Sequence, residues 1–167
     1  MRQERTPLSA YDRALSLLAV REHTEQEIRQ KLRQKEYPQD QIDDAVERLL
    51  KEHAISEERF VEVFVRSRMR KSPEGKYILS QRLSEKGSPK NIYRPYLEEY
   101  WENEEWLPYL SLAVESGVRK KGREKALAAF ARKGWSWSEL NRALANIDED
   151  EADMEDIDDG SDFDFDD

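Results

Sequence analysis

The chain has 167 residues, 39% of them charged, with a net charge of -9, and its mean hydropathy of -0.99 describes a thin core beneath much solvated surface. It contains no cysteine, which excludes a disulfide framework and any thiolate chemistry. No run approaches the roughly 18 apolar residues of a membrane span, and the N-terminus lacks a signal-peptide core, so the chain reads as soluble, cytoplasmic and free of membrane contact.

After a short polar leader over residues 1–8, Ser9 is placed to cap a first helix carrying Ala14, Leu15, Leu17 and Leu18. Thr24-Glu25-Gln26-Glu27 is a capping box that opens a second helix, with Ile28 and Leu32 four residues apart. Pro38 suits the first turn of a third helix, which presents Ile42, Ala45, Val46 and Leu49. From Ser56 a fourth helix places Phe60, Val61, Phe64 and Val65 on one face and Arg59, Arg66 and Arg70 on the other. Arg68 falls along the apolar arc and is expected to snorkel or to pair with a carboxylate. Glu62 is spaced to meet both Arg59 and Arg66. A Ser-Pro turn leads into a fifth helix ending at Lys86-Gly87, and Ser88-Pro89 offers an N-cap followed by a first-turn proline. Ser136 to Glu139 is another capping box, and no segment shows the period-two alternation of a half-buried strand.

These helices repeat. Leu32, Leu83 and Phe130 come into register, and without gaps so do Ile28, Leu79 and Ala126; Ile42, Tyr93 and Leu140; Val46, Leu97 and Leu144; and Leu49, Tyr100 and Ile147. Lys35, Lys86 and Lys133 also coincide. The expected fold is all-α: three tandem three-helix repeats over residues 9–54, 55–100 and 101–147, stacked into an elongated, curved body. Ile55 and Trp106 occupy matching positions after the third helices and are expected to staple one unit to the next. Residues 148–167 hold 13 acidic side chains and no basic one, which leaves a mildly basic body. That composition predicts a disordered acidic tail, either a solubilising appendage or a polyanion mimic folding back over the body.

Several stretches resemble the RecX family, regulators of the recombinase RecA: Ala14 to Thr24 (ALSLLAVREHT), Ser56 to Lys71 (SEERFVEVFVRSRMRK), Leu83 to Gly87 (LSEKG) and Arg132 to Leu144 (RKGWSWSELNRAL). With the three-by-three layout, the resemblance covers about residues 9 to 147. It implies a protein that binds the RecA nucleoprotein filament and modulates, mainly inhibits, its assembly and activity in recombination, DNA repair and the SOS response. The chain departs from the family at Ser72 to Lys76, where a Gly-Tyr-Gly-Pro type of turn is usual. That departure bears on the angle between the two helices it joins.

A basic surface suits such a partner, because Lys and Arg gain affinity by releasing counterions from phosphates. Arg66, Arg70, Lys71, Lys76, Arg82, Lys86 and Lys90 concentrate in the middle unit, and Arg119, Lys120, Lys121, Arg123 and Lys125 form a second cluster. These are the expected contacts to the filament, with direct contact to single-stranded DNA as part of the same expectation. The repeated Lys35, Lys86 and Lys133 also read as cations complementing helix C-termini. Tyr93, Tyr96, Tyr100, Trp101, Trp106 and Tyr109 share the spacing of the Ile42 and Val46 face and so read as core. Of Trp135 and Trp137, one is expected to pack and the other to lie at the surface.

No catalytic constellation is legible. His23 and His53 form no pair at metal-ligand spacing, no Gly-rich phosphate loop or Gly-x-Ser-x-Gly elbow occurs, and Ile157 stands where an oxygen ligand would be needed before Gly160. The chain is therefore expected to be a monomeric binding protein without metal or cofactor. An independent nucleic-acid-binding module and a protein–protein adaptor are the alternatives that composition permits.

Overall fold

The computed structural model describes residues 8–155, with side-chain placement given through residue 147. Nine helices follow one another, and no strand occurs among the described residues. The first unit comprises α1 (Ala10–Leu18), α2 (Glu25–Arg33) and α3 (Gln39–Lys51); the second α4 (Glu57–Lys71), α5 (Lys76–Glu85) and α6 (Lys90–Glu102). The third comprises α7 (Leu107–Lys121), α8 (Arg123–Arg132) and α9 (Trp137–Glu155). The tandem helical architecture expected from the sequence is the one observed.

Local chemistry explains the starts. The hydroxyls of Ser9, Thr24 and Ser56 each accept a backbone N–H in the first turn of α1, α2 and α4. Ser136 and Glu139 complete a reciprocal capping box, each side chain bonding the other's N–H at 3.2 and 2.7 Å. The box at Thr24 is only half made, because Glu27 turns away to pair with Arg21 and Lys86. Two proline expectations shift by one residue: Pro38 and Pro89 are themselves the N-caps of α3 and α6. Ser88 therefore does not cap; its hydroxyl is buried beside the Glu57 carboxylate.

The helix ends carry the repeat in the backbone. Glu36, Gly87 and Gly134 occupy equivalent positions after the second helix of each unit, and all three have positive φ. At each, two N–H groups fold back onto the carbonyls of the last turn, as in Tyr37 to Leu32, Ser88 to Leu83 and Trp135 to Phe130. His53 and Glu104 repeat the device after α3 and α6.

Ile28, Leu32, Ile42, Val46 and Leu49 form the core of the first unit, together with Ile55. Ile55, just after α3, packs into this first-unit core. The second and third units share one core that includes Phe60, Val65, Leu79, Leu83, Leu97, Leu110, Phe130 and Leu140. Trp106 does bridge them: its ring lies 6.4 Å from Trp101 and 5.5 Å from Trp135. Trp135 is buried and Trp137 exposed, and the Tyr and Trp side chains of the α6–α7 junction belong to the core or pack against it.

The first two units meet through polar groups. The Thr24 hydroxyl donates to the Lys86 carbonyl at 2.7 Å, Arg59 pairs with Glu22 at 3.0 Å instead of Glu62, and the Glu25 N–H donates to Glu57 at 2.9 Å. At the C-terminus α9 continues past Ile147 to Glu155, so the acidic segment begins in helical backbone. The remainder of the predicted tail, 156–167, lies outside the described residues.

Candidate partner-binding surface

The period that turns Phe60, Val61, Val65 and Met69 into the core turns Arg66 and Arg70 outward. Arg66, Arg70 and Lys71 line one shallow depression with Val63 and Ser67. Arg66 is held by Glu62, one turn earlier, at 2.6 Å. Arg70 and Lys71 have no carboxylate partner among the described residues. This face therefore presents two open cations and a third whose pairing is exposed and exchangeable, since surface ion pairs contribute little.

Two other predicted contacts are committed to the fold. Arg82 and Arg68 grip Glu74 from two sides, Arg82 at 2.8 Å for both bonds and Arg68 at 2.6 and 3.1 Å. Burial pushes the Glu74 carboxyl up, but the two guanidiniums outweigh it and hold the group below the usual carboxylate range. Arg68 thus finds the carboxylate expected of it. Lys86 reaches across to Glu27 at 3.0 Å, so it ties the second unit to the first while standing at the C-cap of α5. Its counterpart Lys133 donates to the Ser72 hydroxyl at 2.9 Å.

The remaining candidates spread out. Lys76 lines a second depression with Tyr77, Ser80, Arg94 and Glu98. Tyr77 is 68% exposed and lies on the opposite side of α5 from Leu79. Lys90 is exposed in the first turn of α6. Arg119, Lys120 and Lys121 close α7, and Arg123 opens α8 across Gly122. Arg119 pairs with Glu115, whereas Lys120, Lys121 and Arg123 are exposed without an ion-pair partner among the described residues.

Sequence reasoning did not single out Glu74, Tyr77 or Arg94. Glu74 lies in the turn that departs from the family pattern, and its partners come from two different helices. Tyr77 was recoverable from its position off the Leu79–Leu83 stripe. Chemically the surface offers hydrogen-bond donors and positive charge. Among the described residues no group of three or more His, Cys, Asp or Glu side chains is placed to hold a metal ion.

Comparison with known proteins gives a consistent result. The family model described as "RecX, first three-helix domain" matches residues 10–49. The chain is 34% identical over 143 residues to the regulatory protein RecX of Chlorobium phaeobacteroides (strain BS1), covering 83% of this chain and 93% of that protein. It is 33% identical over 146 residues to the regulatory protein RecX of Halorhodospira halophila, covering 84% and 89%. The crystal structure of RecX from Lactobacillus salivarius superposes with a TM-score of 0.67 at 23% identity, over 83% of this chain and 94% of that one, a likeness of fold.

Proposed function

The chain belongs to the RecX family of regulatory proteins, and from that membership we propose that it binds the nucleoprotein filament of the RecA recombinase and restrains its assembly and activity in recombination and DNA repair. The reading is carried by a relationship spanning 83% of this chain and 93% of a RecX regulator. The cationic face of α4 supplies the contact. Arg66, Arg70 and Lys71 approach the phosphates carried in the filament, and counterion release supplies affinity. Exposed Tyr77, between Lys76 and Arg94, offers a ring on which a base of single-stranded DNA can stack. The protein acts in the cytoplasm as a monomer, and no helix among the described residues is long and apolar enough to cross a membrane.

Charge reversal on α4 tests the surface. Arg66 and Arg70 are exposed, so the R66E, R70E double variant should retain the wild-type fold. Its binding to RecA filaments should weaken, and the salt dependence of binding should flatten by about one unit for each phosphate that is no longer neutralised. A folded variant that binds as wild type does removes this face from the binding surface. Tighter binding to bare single-stranded DNA than to the filament would instead favour an independent nucleic-acid module, and indifference to both would favour an adaptor.

A further inference from the structure

A pocket of about 300 Å³ opens beside α4, α6 and α7, where the second and third units join, and is lined by Tyr96, Tyr100 and Tyr109. The rings of Tyr96 and Tyr100 are stacked, their centroids 6.0 Å apart and their planes 20° from parallel. Glu105 and Arg66 share the lining, and Glu62 and Glu99 extend it along the edge. Arg66 pairs with Glu62 at 2.6 Å, and Glu62, Glu99 and Glu105 set three carboxylates against this one guanidinium. Glu99 and Glu105 have no ion-pair partner among the described residues, so the pocket keeps an excess of negative charge despite its arginine.

A second observation points to a ligand. Tyr100 is only 5% exposed, and its hydroxyl has no hydrogen-bond partner. A buried hydroxyl with its bonding capacity unused is costly, and the cost is recovered when a donor arrives. Burial, then the nearby carboxylates, pushes Tyr96 up to about 12, and burial, then the neighbouring tyrosines and Glu105, raises Tyr100 further, so both remain neutral phenols whose oxygens can accept.

We propose that this pocket receives an arginine side chain from a protein that docks at the junction of the second and third units. Tyrosine rings attract cations through their faces, and unpaired carboxylates add to that attraction. A guanidinium is flat enough to lie against the stacked tyrosines, and its fork of donors serves the Tyr100 oxygen and the Glu105 carboxylate together. An ammonium, a compact and strongly hydrated charge, satisfies fewer of these groups at once. Any protein that docks at this junction can supply the arginine, whether or not the recombinase is that partner.

The test uses the full chain with isotope-labelled tyrosine, titrated by NMR with N-acetyl-arginine amide. Ring signals of Tyr96, Tyr100 and Tyr109 should shift saturably, while N-acetyl-citrulline amide, nearly the same shape without the charge, should bind roughly fivefold or more weakly. Glu105→Gln, at an exposed position outside the core, should weaken the arginine probe by a similar factor, and Tyr100→Phe should weaken it with the fold retained. Equal binding of citrulline and arginine, tighter binding of the lysine analogue, an unchanged response in Glu105→Gln, or no saturable shift would each overturn the proposal. No recombinase enters this assay, so its failure leaves the family-based reading intact, and failure of filament binding leaves the pocket to be judged here.

Discussion

Glu74 sits in the turn between α4 and α5 with its side chain only 7% exposed, gripped by the guanidiniums of Arg68 and Arg82. It separates cations that build the second unit from those that remain available, because Arg66, Arg70 and Lys71 lie beyond its reach on the outer face of α4. Removing its charge should therefore be felt in stability. Glu74→Gln leaves two guanidiniums without their counter-charge and should cost roughly 1–3 kcal/mol at pH 7 by the scale of charged hydrogen bonds, the partly solvated arginines limiting the loss. The pH dependence has a definite sign. The Glu74 carboxyl is held below its unfolded range, so its contribution is present above the unfolded value of about 4.3 and disappears as pH falls through the lower folded value. Thermal unfolding of wild type and Glu74→Gln should differ at pH 7 and converge toward pH 3. An equal difference at both pH values would mean that the ionised carboxylate contributes nothing.

At the scale of elements, the turn before α5 is shaped by a close approach between two units. Gly75 donates its N–H to the Lys133 carbonyl at 2.9 Å, and a Cβ placed on Gly75 would sit 2.0 Å from the carbonyl oxygen of Gly134. Backbone cannot yield as a flexible side chain does, so Gly75→Ala should push the units apart and lower stability by about 1–3 kcal/mol, the scale of overpacking. Chemical denaturation measures it, and an unchanged midpoint would mean that the units do not touch here. The sequence displayed the helices because their caps and apolar periods are local, and it displayed the repeat because Leu32, Leu83 and Phe130 fill the same core position in each unit. The helix end at Lys86-Gly87 was legible, whereas the equivalent Glu36 carries a positive φ without the glycine that usually marks one. Ser88-Pro89 satisfies the rule for a cap followed by a first-turn proline, yet the helix starts one residue later and the Ser88 hydroxyl does not cap it. The Gly75–Gly134 approach, the partners of Glu74 and the tyrosine pocket were not legible, since each depends on how helices or units stack and no short-range pattern encodes that. Of the candidate cations, spacing alone could not separate Arg82 and Lys86, drawn into ion pairs, from Arg70 and Lys71, left open.

Across the whole molecule the two junctions differ in kind. The second and third units share an apolar core locked by the Trp101, Trp106 and Trp135 rings, whereas the first is attached through Thr24, Glu27 and Lys86, Glu22 and Arg59, and Glu25 and Glu57. The α4 face belongs to the unit common to both junctions, so a partner gripping it engages the centre of the array. Under the proposed function, regulation would follow from binding one state of the filament better than another. The most direct measurement is the length and DNA-dependent ATPase activity of RecA filaments on single-stranded DNA, with and without substoichiometric amounts of this protein. Shorter filaments and reduced turnover are the predicted result; filaments unchanged in both length and turnover, even at equal concentrations of the two proteins, would contradict the account.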